Sequence, residues 1–264
     1  MVVLGDCNMY EEAKKYFNYF IKNNFDLNND KIIHKIEHTY HVVDNVKYIC
    51  DDMHLNKEDK DIAMIIALLH DIGRFQQVCE INSFREDIND YDHATLGVKY
   101  LFETNEIRNF IKTNRYDNII KKAILHHSEY ILDETGMTEK EKLHAKIIRD
   151  ADKIDSFRTK ATEDIYIMAN ITEKDIEDSK ISDKVYNDFM NEKTIFSKDR
   201  KTGVNIWISY IAFIFGLEFN SSLKLVKKNN YVNKLFDRYV YKNDFNKIKL
   251  LKQKANSYLE SMVK

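Results

Sequence analysis

The chain of 264 residues contains no proline. Average usage in globular proteins would give roughly 13 prolines in a chain of this length. Glycine is also scarce, with six residues, so the residues that form tight turns between strands are largely missing. Helical bundles need fewer such residues, and we therefore expect an all-α fold.

Apolar residues recur with a helical period along almost the whole chain. The pattern predicts helices over 8–22, 30–50, 57–72, 92–104, 106–114, 116–131, 138–160 and 161–169, with two or three more after 203. Asp30 is the expected N-cap of the second helix. Segment 74–91 has no clear period and is predicted to be a long loop, a kind of segment that often carries function. No linker divides the chain, so we expect a single domain over 1–264.

Composition places the chain among soluble globular proteins, with 44% apolar and 32% charged residues. The cysteines Cys7, Cys50 and Cys79 have no metal-type spacing and are odd in number, which favours reduced thiols. The N-terminus brings in charged residues before any apolar stretch of signal-peptide length. The longest apolar stretch, 204–217, has 14 residues and is too short to cross a bilayer. We therefore expect a cytoplasmic protein that does not engage a membrane and whose 204–217 segment is a buried helix.

Positive charge is concentrated near the C-terminus. Between Lys224 and Lys254 the chain has ten Lys and Arg against two Asp, although its net charge is −2. Such a region can attract phosphates or nucleic acid. A set of solvated helix faces is the more usual origin of a charge run, so nucleic-acid binding is an open but disfavoured prediction.

A wholly apolar turn, Ile66–Leu69, runs directly into His70 and Asp71 and is followed by Gly73. We interpret it as the buried end of a helix with a glycine C-cap. Burying an ionised carboxylate is costly unless a cation receives it. Asp71 therefore suggests a metal ion inside the bundle.

Other candidate ligands border the apolar faces of separate predicted helices. His38 lies one turn before Val42, His127 follows a buried stripe, and Asp152 lies one turn beyond Ile148. Neutral imidazoles combined with carboxylates suit Zn, Fe, Mn or Co better than Ca. A histidine beside a helix stripe is otherwise a hydrogen-bonded core residue, and we give no functional role to His34, His41, His54 and His144.

Three segments in this order, "EHTYHV" (37–42), "LLHDIG" (68–73) and "RDADKID" (149–155), resemble the HD-domain superfamily of metal-dependent phosphohydrolases. The resemblance covers residues 30–160. It implies an HD-type helical bundle, with 161–264 as a helical C-terminal extension. It also implies that one divalent metal ion is held by His38, His70, Asp71 and Asp152.

Two further segments, "YDHATLG" (91–97) and "AILHHS" (123–128), resemble the branch of the superfamily that binds two metals. The resemblance implies that His93 and one of His126 and His127 hold a second ion, with Asp71 bridging the pair. The ions would be Fe, Mn, Co, Zn or Ni. We favour His127 because it lies on the buried face, while His126 binds either metal or a substrate phosphate. His93 is otherwise a polar residue at a helix start.

The catalytic residues that the resemblance implies are Asp71 and Lys153. Paired divalent ions activate water and bind phosphoryl oxygens, with Asp71 positioning the nucleophile. Lys153 follows Asp152 and would contact a substrate phosphate as a point charge, or else pair with a neighbouring aspartate at the surface. Arg74 is a further phosphate-binding candidate, or it caps a helix end.

Two departures from known members narrow the function. The stretch "HHSEYILDETG" has no GYP signature of the cyclic-dinucleotide phosphodiesterases, and "GRFQQ" differs from the corresponding loop of deoxynucleotide triphosphohydrolases. We therefore expect a phosphohydrolase acting on a nucleotide or another small phosphate ester.

Two alternative functions stay open. One is a mixed-valent di-iron oxygenase, whose ligand set is similar, and the other is a nucleotide- or nucleic-acid-binding module. The oligomeric state is not indicated.

Overall fold

The structure, a computed structural model, describes residues 9–84 and 91–263, without the side chains of 167 and 168. Regular structure in these residues is helical, and none of them lies in a β-strand. The all-α prediction is confirmed. The chain divides into two compact units, Met1–Ala151 and Asp152–Lys264, and a single domain over 1–264 stays a prediction.

The first unit is a helical bundle around a central buried helix. In α3 every residue from Asp61 to Leu69 is buried, and α1, α2 and α7 pack against it. The helices of this unit are α1 (Met9–Asn24), α2 (Asp30–Asp52), α3 (Lys57–Leu69), α4 (Ile72–Ile81), α5 (His93–Glu103), α6 (Ile107–Phe110), α7 (Asp117–His126) and the first half of α8 (Glu139–Thr162).

The predicted loop over 74–91 is wrong for residues 74–81, which belong to α4. Ile72, Phe75 and Val78 are buried at intervals of three residues, so one narrow apolar stripe holds this short helix to the core. It ends at Asn82, which adopts the left-handed conformation with φ of 46°. Residues 85–90 of the predicted loop lie outside the described residues.

The sequence predicts that Gly73 is a helix C-cap, and this prediction is wrong. Gly73 lies in the first turn of α4. A Cβ atom there would stand 2.2 Å from the carbonyl oxygen of His93 and 2.9 Å from the nitrogen of Gly97. The backbones of α4 and α5 therefore touch, which requires a residue without a side chain. This crossing places His93 beside the start of α4, directly after Asp71.

Some helix ends also differ from prediction. Asn29, rather than Asp30, caps α2, and its side chain accepts a hydrogen bond from the nitrogen of Lys31. The helices predicted over 106–114 and 116–131 are shorter. α6 ends at Phe110 because Ile111 turns to an extended conformation and buries its side chain.

The second unit is also helical. Its buried centre includes Trp207, whose Nε1 donates to the carbonyl of Leu235 at 3.2 Å. Most of segment 204–217 is buried, as predicted, although its end is a 3₁₀ turn. The elements of this unit after α8 are α9 (Ile165–Ala169), α10 (Glu173–Asp178), α11 (Asp183–Met190), a 3₁₀ turn (Ser197–Asp199), α12 (Gly203–Ile211), a 3₁₀ turn (Ala212–Gly216), α13 (Asn220–Lys228), α14 (Tyr231–Phe236) and α15 (Phe245–Met262).

Four α-helices begin at or after residue 203, where the sequence predicts two or three. Asn230 and Asp244 adopt left-handed conformations, with φ of 55° and 56°, and separate α13 from α14 and α14 from α15. In the first unit, Lys57–Ile81 is apolar and long enough to span a membrane by composition, but 83% of its most apolar window is buried inside the protein. That burial identifies it as part of the bundle core.

Candidate metal centre

The carboxylate of Asp71 lies at the centre of four imidazole rings. Its Oδ2 is 3.4 Å from Nε2 of His38 and 3.5 Å from Nε2 of His70. Its Oδ1 is 3.3 Å from Nε2 of His93 and 3.6 Å from Nε2 of His127. Each carboxylate oxygen therefore faces its own pair of ring nitrogens, and we call these two places the Oδ2 side and the Oδ1 side.

Four of these five residues lie where a helix begins or ends. His70 and Asp71 form the junction between α3 and α4, and Asp71 leaves the helical conformation with φ of −107° and ψ of 18°. His93 is the first residue of α5, and His127 directly follows α7. His38 is the exception, inside α2. The short turns of the bundle thus bring the five side chains together.

Two of the rings are oriented by carbonyl groups of their own helices. Nδ1 of His70 donates to the carbonyl of Ala67 at 2.8 Å, and Nδ1 of His127 donates to the carbonyl of Ile124 at 2.7 Å. In a neutral ring the proton is then on Nδ1, and Nε2 carries a lone pair. Both lone pairs are on the Asp71 side of the ring, which is the arrangement that a metal ligand needs.

All five side chains are buried, with exposures of 6% for His38, 0% for His70, 4% for Asp71, 2% for His93 and 4% for His127. Burial by itself would raise the pKa of the Asp71 carboxyl. The positive charge of Lys35, together with His70, His127 and His38, outweighs burial and holds this pKa well below its usual range. Asp71 is therefore ionised at neutral pH.

The donor set suits divalent transition metals. His38, His70 and Asp71 form one group, and Asp71, His93 and His127 form another, with the ligand atoms of each group within 4.8 Å of one another. The Nε2 atoms of His93 and His127 are 3.0 Å apart. Imidazole nitrogens with a shared carboxylate are typical ligands of Zn, Fe, Mn, Co and Ni. The geometry thus offers two adjacent cation sites that share Asp71.

Comparison with known families now identifies the fold. Residues 36–156 match the family model of the HD domain. The chain contains an HD domain. This domain indicates the superfamily of metal-dependent hydrolases. No curated protein and no solved structure is significantly similar to the chain.

The sequence did not draw attention to Lys35, which lies one turn before His38 on α2. Its Nζ is 2.5 Å from Oδ2 of Asp71, and its side chain is 12% exposed. The ammonium also lies 5.2 Å from the centre of the Phe84 ring. The spacing of three residues from His38 could have indicated it, since positions i and i+3 share one face of a helix.

Arg74 is beside the same carboxylate but further away. Its Nε is 3.9 Å from Oδ1 of Asp71. Its Nη1 donates to Oε1 of Gln77 at 2.7 Å and to the carbonyl of Phe84 at 2.9 Å. The guanidinium therefore lies next to the Oδ1 side of the centre, where a contact with substrate phosphate stays a prediction.

His126 points elsewhere than His127. Its Nδ1 is 2.8 Å from Oε1 of Glu129, and its side chain helps to line a pocket of about 400 Å³ with Tyr91, Asp92 and Thr95. His126 does not belong to either group of neighbouring ligand atoms among the described residues. This placement favours His127 as the ligand and His126 as a pocket residue.

Arg149, also missed from the sequence, holds the end of α7. Its Nη1 donates to the carbonyls of His126 at 2.7 Å and His127 at 3.4 Å, and the residue is 5% exposed. The capping of these carbonyls positions the turn that carries His127. Its location in "RDADKID", one of the HD segments, is the signal that could have pointed to it.

Two predicted residues lie at the start of the second unit. Asp152 follows Ala151, whose carbonyl accepts a hydrogen bond from Nδ2 of Asn45 on α2 at 3.1 Å, and it is partly exposed. Lys153 donates through Nζ to the carbonyl of Gly216. Metal binding by Asp152 and phosphate binding by Lys153 stay predictions.

His144 has the core role that the sequence assigned to it. It is 1% exposed, and its Nε2 is 3.3 Å from Oδ1 of Asp59. Burial lowers its pKa, and Asp59 offsets part of that effect. The ring is therefore a neutral hydrogen-bonded core residue in the folded protein.

Proposed function

We propose that the protein is a metal-dependent phosphohydrolase that cleaves a nucleotide or another small phosphate ester. The observation that carries the proposal is the division of the Asp71 carboxylate, with each oxygen facing its own pair of histidine Nε2 atoms. A bridging carboxylate between two His pairs fits a pair of ions that act together on one phosphate.

The residues that would hold the ions are His38 and His70 on the Oδ2 side and His93 and His127 on the Oδ1 side. Divalent ions bound there would lower the pKa of a water molecule and neutralise charge on phosphoryl oxygens. Asp71 needs to lose no proton to act as a ligand, because its pKa is held well below the usual range. The same ionised group can orient the attacking water.

The cationic groups next to Asp71 favour an anionic substrate. Lys35 and Arg74 both lie within 4 Å of the carboxylate, so positive charge remains near the centre on two sides. Arg74 offers a planar donor group that suits phosphate oxygens. His126, in its pocket beside His127, is a candidate for contact with the part of the substrate beyond the phosphate.

Nucleic-acid binding by the basic segment receives little support, because four of its ten Lys and Arg form ion pairs with carboxylates. The pairs are Lys242 with Asp178 at 2.7 Å, Lys247 with Asp183 at 3.2 Å, Lys252 with Asp237 at 2.6 Å and Lys254 with Glu192 at 2.6 Å. A phosphate-tracking surface needs cations that are available to the backbone. These pairs favour the interpretation as solvated helix faces.

The proposal is tested with the full chain after metal removal and reloading with Mn, Fe, Co, Zn or Ni in turn. Each preparation is assayed on phosphomonoesters, phosphodiesters and nucleotides. We expect hydrolysis with at least one metal, and a rate at least about 100-fold lower for Asp71→Ala, because loss of a ligand costs more than loss of its supporting groups. Asp51→Asn, an exposed acid on α2 paired with Lys60, is the matched control.

Two results would overturn the proposal. The first is no hydrolysis of any substrate class with any of the metals. The second is equal activity of Asp71→Ala and the wild type. An oxygen electrode distinguishes the oxygenase alternative, since oxygen uptake that requires reduced iron would favour it, whereas full activity with redox-inactive Zn would exclude it.

A further inference from the structure

The two sides of the Asp71 carboxylate differ in the cation that each already has. On the Oδ2 side, Nζ of Lys35 is 2.5 Å from the oxygen that also faces His38 and His70. On the Oδ1 side, Arg74 is 3.9 Å away, beyond hydrogen-bond distance. We propose that Lys35 competes with the metal ion of the Oδ2 side for this oxygen, so that this ion binds fully only when the ammonium withdraws.

This inference rests on the proposed metal centre and adds an asymmetry to it. Arg74 is held in place by Gln77 and by the carbonyl of Phe84, so it leaves Oδ1 available. Lys35 instead makes a direct charged hydrogen bond to Oδ2. The same carboxylate is therefore open to a metal on one side and occupied by an internal cation on the other.

Because Lys35 is largely buried, its positive charge acts strongly on a metal ion bound nearby. Its side chain is 12% exposed and that of Asp71 is 5% exposed, so solvent and salt screen the ammonium weakly. A positive charge a few ångströms from a divalent ion repels it strongly in such an environment. An ion on the Oδ2 side must overcome both this repulsion and the loss of the ion pair between Lys35 and Asp71.

The structure also offers a place to which the ammonium can withdraw. Nζ of Lys35 already lies 5.2 Å from the centre of the Phe84 ring, and an aromatic face attracts a cation at this distance. The lysine side chain is long and unbranched, so rotation about its own bonds would bring the ammonium closer to that ring. Withdrawal would free Oδ2 while the positive charge stays beside the centre.

The test is a calorimetric titration of the metal-free full chain with Zn²⁺ and, separately, with Mn²⁺. Lys35→Met keeps most of the side-chain volume and removes the charge. With each metal, we expect two ions to bind. The affinity for one of these two bound ions should rise by at least about tenfold in Lys35→Met, with a clearly smaller change for the other. Lys47→Met is the control, since Lys47 is an exposed lysine of α2 and lies about 18 Å further along the helix axis.

Two double variants assign the effect to one side. In the His93→Ala background, which weakens the Oδ1 side, Lys35→Met should still raise the affinity for the remaining ion. In the His38→Ala background, which weakens the Oδ2 side, the gain should disappear. Equal gains in both backgrounds would overturn the inference, because they would indicate a general charge effect.

Thermal unfolding gives a second measure of metal binding that does not depend on catalytic turnover. The metal-induced rise in Tm should be larger for Lys35→Met and for Lys35→Gln than for the wild type, since a ligand that binds the folded state more tightly stabilises it more. Unchanged or weaker metal binding in both variants would overturn the inference while the metal centre itself stands. A wild-type chain that binds no divalent ion would overturn the inference and the proposed function together.

Discussion

Two charged regions of this protein differ in how their charges are accommodated. In the first unit, one carboxylate, Asp71, is almost completely buried among Lys35 and four histidines. In the second unit, four lysines of segment 224–254 pair with carboxylates at the surface. An example is Lys252 with Asp237, whose side chains are 32% and 64% exposed. The comparison shows that a count of charges along a sequence does not reveal which charges are buried and which are paired at the surface. Burial of a charge with several partners is the more informative property.

The largest effect is expected from removing the buried charge. Asp71→Asn takes away the negative charge that the Oδ1 and Oδ2 sides share, so on the proposed function we expect the loss of both bound ions and of activity. Elemental analysis of the purified variant measures the metal content directly. Asp237→Asn is the counterpart in the second unit and should bind as much metal as the wild type. Equal metal content in the two variants would show that the buried carboxylate is not the ligand.

The next effect concerns the contact that holds His93 against Asp71. Gly73→Ala would place a Cβ atom 2.2 Å from the carbonyl oxygen of His93, which the backbone must move to relieve. We expect the free energy of unfolding to fall by about 1–3 kcal/mol, together with weaker metal binding on the Oδ1 side. Urea denaturation and metal titration measure the two effects.

Gly97→Ala provides a graded comparison at the same helix crossing. Its Cβ atom would approach the side chain of Ile72 at 3.2 Å and the nitrogen of Gly73 at 3.3 Å, so a small shift of α5 can accommodate it. We expect a smaller loss of stability than for Gly73→Ala. The reverse order would contradict our account of the crossing.

A smaller effect is expected from a buried group that has one direct acidic partner, His144. Its pKa in the folded protein is lowered mainly by burial, with partial compensation from Asp59, so the unfolded chain binds the proton more readily. The free energy of unfolding should therefore fall as the pH drops below the ordinary histidine pKa of about 6.5. His144→Gln should reduce this dependence. Urea denaturation at pH 7, 6 and 5 tests it, and parallel curves for both proteins would contradict it.

The smallest effect is expected at the surface of the second unit. Lys252→Met removes a lysine that lies 2.6 Å from Oδ1 of Asp237, but both side chains are accessible to water and salt. We expect the free energy of unfolding to change by less than about 0.5 kcal/mol. A change comparable to that of Gly73→Ala would show that these exposed pairs contribute far more than their accessibility suggests.

The sequence was sufficient for the features that depend on periodicity and on local segments. The apolar spacing predicted α1, α2 and α3 within a few residues, because each has a wide buried face. The HD segments indicated His38, His70, Asp71, His93 and His127, and the structure brings these five side chains together. Their assignment as metal ligands is the proposal that the experiments above test.

The features that were missed depend on contacts between distant segments. α4 has a narrow apolar stripe, so the sequence predicts a loop there, and Gly73 serves a helix crossing that no local pattern reveals. In the sequence Lys35 resembles an ordinary surface lysine. Its role depends on the junction between α3 and α4, which places the carboxylate of Asp71 next to it. Arg149 likewise has its capping role because the fold brings it to the end of α7, where it contacts His127, 22 residues earlier in the sequence. Such roles follow from the tertiary arrangement and not from residue type.

The internal hydrogen bonds of His70 and His127 have a consequence for how this fold can diversify. Each ring is aimed by a carbonyl three residues earlier in its own chain segment, at Ala67 and at Ile124. A tetrapeptide therefore carries both the imidazole and the group that orients it. The direction of each ring is therefore set within its own helix end, so that changes in the surrounding loops and pocket walls would leave it unaltered.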